Sequence, residues 1–370
     1  MDNKAVYWQR IRAYFTVFDA ALSIIIFLIV ATGIVTMYSA GMDFPGRLEI
    51  HMRNIIVAFF VMWFVANIPP QTLMRFAIPL YTFGVALLIA VAAFGLVKKG
   101  ARRWLNVGIV IQPSEILKIA VPLMLAWYFQ KREGSLRWRD FLIAAVILGI
   151  PTAFIAKQPD LGTTLLVGTI GFSVIFFAGL SWRFLISLMV AAAILIPTVI
   201  WPYLLHDYQR DRVMVMLDPS KDALGKGFHI IQSIIAVGSG GVSGKGWTNG
   251  TQSHLEFIPE HTTDFISAVY LEEFGLMGSL FLVGLYFLLV VRGLMIAANA
   301  PTLFSRLMAG AVTTAFFIYS FVNLGMVVGI LPVVGVPLPF VSFGGTAMMT
   351  LGMGLGILMS VQHHRKLMKS

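Results

Sequence analysis

Cysteine is absent from the 370 residues, which removes disulfides and thiolate metal sites. Charge is scarce: Asp, Glu, Lys and Arg make up 12% of the chain, about half the density of a soluble domain. No GxxxxGKS/T phosphate loop and no HExxH pair occurs, and the GSGG stretch near residue 240 has no strand-then-helix setting. His254 and His261 lie seven apart in a polar loop, a poor ligand spacing. Cytoplasmic nucleotide coupling within the chain is therefore not expected, nor is a nucleic-acid partner. The formal charge of +10 gains meaning only once each cation is assigned to a membrane face.

What the sequence has in abundance is apolar length. Hydrophobic residues account for 58% of it, and the mean hydropathy is +0.85. Ten apolar segments stand out, near 18–37, 55–68, 76–97, 116–129, 141–156, 161–180, 184–205, 265–291, 308–328 and 344–361. Crossing a bilayer takes roughly 20 residues of helix. In hydrocarbon every backbone polar group needs a partner within the protein, so such spans are helical. The expected fold is an all-α integral membrane protein of about ten transmembrane helices, forming one polytopic domain over 1–370. The first run is too long for a signal-peptide core and has no clear cleavage site, so it reads as a retained helix.

Orientation follows Lys and Arg in short loops. With the N-terminus inside, 14 of the 27 cations fall on the cytoplasmic side, so location decides and not the total. The compact 131–139 loop and both termini (Lys4, Arg10, Arg12, Lys369) are basic, which favours both termini inside. The polar segment 206–262 then becomes a large external loop between helices seven and eight, long enough to escape the charge rule. It is glycine-rich from 225 to 250 and should fold as loop and short helix over the membrane. Lys98, Lys99, Arg102 and Arg103 crowd a second external loop, and Arg210, Arg212, Lys221, Lys226 and Lys245 populate the long one. Cations on that face suit either lipid headgroups or an anionic ligand at the outer leaflet.

Ionisable groups at helix ends or inside spans are costly and mark candidate sites. Glu115 and Lys118, three apart at a helix start, are within reach of each other and form a structural ion pair or a ligand site. Asp160 is placed to cap the sixth helix. Asp264 opens the run FISAVYLEEFG where the polar loop meets the membrane. It either complements the dipole of a helix capped by Thr263 or, sharing a helical face with Ala268, Leu271 and Gly275, lines a cavity. Glu272 and Glu273, deeper in that helix, should face the bundle interior or find partners.

Eight motifs in order complete the reading: GARRWLNVG (100–108), QPSEILKIA (112–120), QPDLGT (158–163), HDYQRDRV (206–213), GKGFHIIQS (225–233), GKGWTNGTQ (244–252), PEHTTDFI (259–266) and VGVPLPFVSFGGT (334–346). They resemble the SEDS family of cell-wall polymerases over nearly the whole chain. The VGVPLPF form is more similar to the rod-elongation branch than to the division branch. The resemblance implies ten transmembrane helices, a bacterial inner-membrane location with the active site at the periplasmic face, and peptidoglycan glycosyltransferase activity on lipid II. It also implies a class B penicillin-binding protein transpeptidase as partner, within the elongation machinery. The family's essential aspartate matches Asp264, expected to act as general base in an inverting transfer. Its helix-four pair matches Glu115 and Lys118, and its QPD aspartate matches Asp160. Arg103, Lys118, Arg210 and Lys245 are the cations expected to bind the leaving pyrophosphate, either alone or helped by a divalent cation (Mg or Mn). A lipid II flippase and a non-catalytic scaffold for the transpeptidase are the alternatives.

Overall fold

The computed structural model describes residues 16–98, 101–106, 110–204, 207–222, 226–254 and 260–367. Lys4, Arg10, Arg12, Lys99 and Lys369 lie outside them, as do the side chains of Lys98, Lys221, Lys226, His254 and Lys366. Each of the ten apolar segments becomes a long helix: α1 (Ala20–Ala40), α2 (Arg47–Ala66), α4 (Ala77–Phe94), α5 (Pro113–Lys131), α6 (Trp138–Lys157), α7 (Leu161–Phe177), α8 (Trp182–Leu195), α12 (Ile266–Ala298), α13 (Leu303–Val327) and α14 (Gly345–Leu367), with the short α3 (Pro70–Arg75) between α2 and α4. Eight are long and apolar enough to cross a membrane on that basis alone, with α8 continued by wider turns over Ile196–Leu204. The other two, α5 and α7, fall short for local reasons. α5 carries Glu115, Lys118 and Lys131, and α7 has only 17 residues.

Asp19 caps α1 by accepting from the Leu22 N–H at 3.0 Å. The same carboxylate takes a two-pronged contact from Arg292 of α12, at 2.9 and 2.5 Å, so a helix cap also ties two helices together. Packing of α14 along α2 depends on small residues, as expected where lipid supplies no hydrophobic drive between helices. A Cβ at Gly352 would meet the Ala58 carbonyl at 2.5 Å, and one at Gly356 would meet the Met62 carbonyl at 2.6 Å. α8 behaves differently, for none of its residues is buried and its apolar side chains face the lipid.

The long polar segment forms α9 (Asp207–Leu217), a single 3-10 turn (Pro219–Asp222), α10 (Lys226–Ser239) and α11 (Thr251–His254). Its glycine run then does something a surface loop does not. Between Gly240 and Gly246 the chain wedges into α12, whose helical course breaks at Gly275 (φ 59°, ψ −153°). The opened turn is closed by the wedge: the N–H groups of Lys245 and Gly246 donate to the carbonyls of Glu272 and Glu273, both at 3.0 Å, and Leu276 donates to Gly241 at 2.9 Å. Backbone groups freed inside a bundle must be satisfied in this manner. Only glycine permits the approach, since a Cβ at Gly244 (φ +79°) would stand 2.0 Å from the Glu273 carbonyl.

The crowded cationic loop is likewise not irregular. It is a small antiparallel meander of β1 (Leu96–Lys98), β2 (Ala101–Asn106) and β3 (Val110–Ile111), pairing Leu96 with Trp104 and Leu105 with Ile111. This meander carries Arg103 from the end of α4 to the start of α5.

Candidate active site

At one end of the bundle, the starts of α5 and α7, strand β2, α9 and the segment 333–337 enclose a cleft of about 660 Å³. Arg103, Glu115, Lys118, Asp160, Arg212 and Asp264 all line it. Three carboxylates therefore face three cations in one space. A second cavity of about 230 Å³, lined by Val215, His229, Ile230 and Phe265, shares Arg212, Asp264 and Val333 with the first. Asp264 thus stands where a polar cleft and a more apolar one meet.

Pro113 at the first position of α5 presets the helical φ, and Glu115 and Lys118 then fall one turn apart. Lys118 Nζ lies 2.6 Å from Glu115 Oε1 and 5.4 Å from the centre of the Tyr319 ring. The lysine is buried, and Glu115 also accepts from the Thr350 hydroxyl at 3.3 Å. Asp160 caps α7 through the Thr163 N–H at 3.1 Å while its other oxygen meets Gln112 at 3.3 Å and Arg103 at 3.6 Å. Arg103 is itself fixed by the carbonyls of Gln158 (3.2 Å) and Pro159. One side chain is thus cap and charge partner at once.

Asp264 is positioned otherwise than helical periodicity suggests. It lies in a turn ahead of α12, whose N-cap is Phe265 and has no side-chain cap bond. The shared face with Ala268, Leu271 and Gly275 therefore does not exist. Thr263 does not cap either, because its hydroxyl donates to the Glu260 carbonyl and carboxylate. What holds the turn is Asn323 of α13. Its amide donates to the Asp264 carbonyl at 2.9 Å and the Val336 carbonyl at 2.8 Å, while its own oxygen accepts from Ser267 at 2.7 Å. Arg47 adds a bond to the Thr262 hydroxyl, and Phe343 N–H donates to the Thr262 carbonyl at 2.9 Å. Gly335 (φ +74°) supplies the left-handed backbone turn that carries the 333–337 segment past the Asp264 carboxylate, where a Cβ would make only ordinary contact with Oδ2 at 3.4 Å.

Two expected cations do not line the cleft. Arg210 donates to the Pro202 carbonyl at 2.9 Å and lies 3.7 Å from Asp207. Lys245 is engaged by Glu272 at 2.6 Å and by the Thr251 hydroxyl at 2.6 Å. Glu272, fully buried, also accepts the N–H groups of Thr251 (2.9 Å) and Gln252 (3.1 Å), and Glu273 accepts from Ser39. These charges hold the glycine wedge in place. The cation that does reach Asp264's cleft is Arg212, two residues past Arg210 and steadied by the Val333 carbonyl at 3.1 Å. Its helical offset from Arg210 was a visible signal, but which face of α9 turned inward was not. Asn323, an amide inside an apolar helix, was visible too as a costly residue needing partners.

A family model described as a cell cycle protein, covering FtsW, RodA and SpoVE, matches residues 19–367. The chain belongs to the FtsW/RodA/SpoVE family. The peptidoglycan glycosyltransferase MrdB of Escherichia coli K12 is 49% identical over 367 residues, covering 99% of this chain and 98% of that one. MrdB of Helicobacter pylori 26695 is 36% identical, with coverage of 82% and 79%. Among solved structures, a chain from "Structural coordination of polymerization and crosslinking by a peptidoglycan synthase complex" aligns with a TM-score of 0.81 at 34% identity, covering 94% and 98%. Thermus thermophilus RodA aligns with a TM-score of 0.71 at 28% identity, covering 94% and 97%. The SEDS resemblance and the multi-pass helical fold both hold at this level.

Proposed function

We propose that this chain is a peptidoglycan glycosyltransferase of the elongation branch, polymerising lipid II with Asp264 as general base. The observation that supports the chemistry is the cleft itself, where one carboxylate at a loop–membrane boundary faces Arg103, Lys118 and Arg212. A sugar hydroxyl is a weak nucleophile, and a positioned carboxylate contributes about 10²–10⁴-fold by taking its proton. In the proposed step the acceptor's 4-hydroxyl loses its proton to Asp264 as its oxygen bonds to the anomeric carbon. The bond from that carbon to the lipid pyrophosphate breaks on the opposite side, inverting the centre. The electron pair leaves on the pyrophosphate, where fixed cations stabilise it. Arg212 takes the place assigned to Arg210 and Lys245 in this account.

Among the described residues no group of three or more His, Cys, Asp or Glu is arranged to hold a metal. Glu115 and Asp160 are engaged by Lys118 and Arg103, so the cleft fits Mg²⁺ or Mn²⁺ only if shared with substrate phosphates, the common habit of Mg²⁺. Such an ion would add positive charge at the leaving group.

The deciding assay is polymerisation of lipid II by the purified protein, alone and with a class B transpeptidase. Glycan strands are expected in both, more with the partner. Lipid II crossing vesicle bilayers with no glycan formed would instead favour the flippase, and neither activity would favour the scaffold. The six charges that line the cleft gather at one end of the bundle, which supports the enzyme, since transport calls for polar groups lining a path through it.

The proposed orientation puts the cleft at the periplasmic face and both termini in the cytoplasm. A reporter inserted after the exposed Ser220 should be active outside, and one at the C-terminus inside. A cytoplasmic signal at Ser220 would place the cleft on the wrong leaflet for this reaction.

A further inference from the structure

A second charged cavity lies at the opposite end of α5. That helix starts at the cleft and runs 19 residues, about 28 Å, to the turn that leads into α6. There, Arg132, Ser135, Arg137, Arg139, Asp140 and Ile143 enclose about 320 Å³. The three arginines are exposed and Asp140 is buried. The aspartate is already satisfied: it accepts from Tyr128 and from the Arg137 N–H, each at 2.8 Å, and lies 3.7 Å from Arg132. One carboxylate therefore offsets part of one arginine, and an excess of positive charge surrounds the cavity. Arg139 rests over the Trp138 ring at 5.8 Å.

The surroundings identify the ligand class. Below the arginines the wall is Ile143, and α6 continues with Leu142, Val146 and Ile150 exposed on its outer side. Those residues lie in a membrane span, so they face acyl chains. Trp138, 68% exposed, sits where a span meets the headgroup layer, the usual station of tryptophan. A free anion would need only the arginines. A cavity with guanidinium groups at headgroup height and an apolar, lipid-facing wall beneath fits a molecule that is anionic at one end and hydrocarbon at the other. Arginine forks match phosphate oxygens in pairs.

We infer that Arg132, Arg137 and Arg139 form a binding site for the phosphate headgroup of an anionic phospholipid, in the leaflet opposite the cleft, with its acyl chains along α6. The site is independent of the chemistry assigned to the cleft. It anchors the α5–α6 turn, and through α5 the far end of the helix that presents Glu115 and Lys118.

The test titrates the full-length protein, purified in neutral detergent, with phosphatidylglycerol or phosphatidylcholine and counts bound lipid by native mass spectrometry. The wild type should retain phosphatidylglycerol in preference. A basic residue near an anionic headgroup contributes about fivefold. Arg139→Gln, which removes a guanidinium resting over the Trp138 ring, should therefore weaken phosphatidylglycerol by about that factor and leave phosphatidylcholine alone. The triple replacement of Arg132, Arg137 and Arg139 by Gln should cost at least about tenfold. Arg183→Gln, on the same membrane face but outside this cavity, should change nothing. Retention of phosphatidylglycerol by the triple variant at the wild-type level overturns the site. An equal loss in Arg183→Gln overturns it as well, because diffuse surface charge then suffices. Displacement of the lipid by inorganic phosphate alone overturns the lipid assignment. If the triple variant does not fold, Arg139→Gln decides on the same terms.

Discussion

Asp264→Asn is expected to lower lipid II polymerisation by at least about 10²-fold, or nearly 3 kcal/mol of transition-state stabilisation. Asparagine matches aspartate in size but cannot accept the acceptor's proton at neutral pH. The structure sharpens this expectation by removing the helix-capping explanation. α12 begins without a side-chain cap, and the turn is held through the backbone carbonyl of Asp264 by Asn323. The variant should therefore fold, bind lipid II and bind a transpeptidase near wild-type levels. Polymerisation is measured as glycan product on a gel, with thermal unfolding as the control. Activity within a few-fold of wild type would remove Asp264 from the base role.

Lys118→Ala should be the next most damaging change, more so than Glu115→Gln. It deletes a cation from the cleft and strands a half-buried carboxylate 2.6 Å from where the ammonium stood. Removing one partner of a buried ion pair costs about 3–5 kcal/mol of stability. Losing a fixed charge aimed at a leaving group costs roughly 10²–10³ in turnover. Glu115→Gln keeps a hydrogen-bonding group of the same shape beside Lys118 and Thr350, and leaves the cation in place. Exchanging the two residues separates the effects. The Glu115→Lys, Lys118→Glu double variant should recover thermal stability but not full polymerisation. Full turnover in that variant would show that the pair is only a strut between α5, α13 and α14.

All ten long helices could be read from the sequence because the bilayer imposes a one-dimensional rule. Each span must satisfy its own backbone and cover itself with apolar side chains, so the signal is local. For the same reason Asp160 was readable as a cap and Glu115–Lys118 as a pair: each depends on neighbours three residues away. The position of Asp264 at the edge of the polar loop was equally legible.

The rest was decided by contacts between segments far apart in the chain. Whether Lys245 meets substrate or Glu272, 27 positions later, depends on how the glycine run lies against α12, and only the packed structure shows the wedge that brings them together. The turn holding Asp264 is fixed by Asn323, 59 positions later, whose amide donates both to the Asp264 carbonyl and to the carbonyl of Val336. Arg212 and not Arg210 faces the cleft because of how α9 is rotated against residue 333. Sequence periodicity reports which side of an element is apolar, and for a polar loop helix lying over a membrane that information is nearly blank. The chain by itself determined the spans and the inventory of charges; tertiary packing determined which charges neutralise one another and which are left facing a cleft.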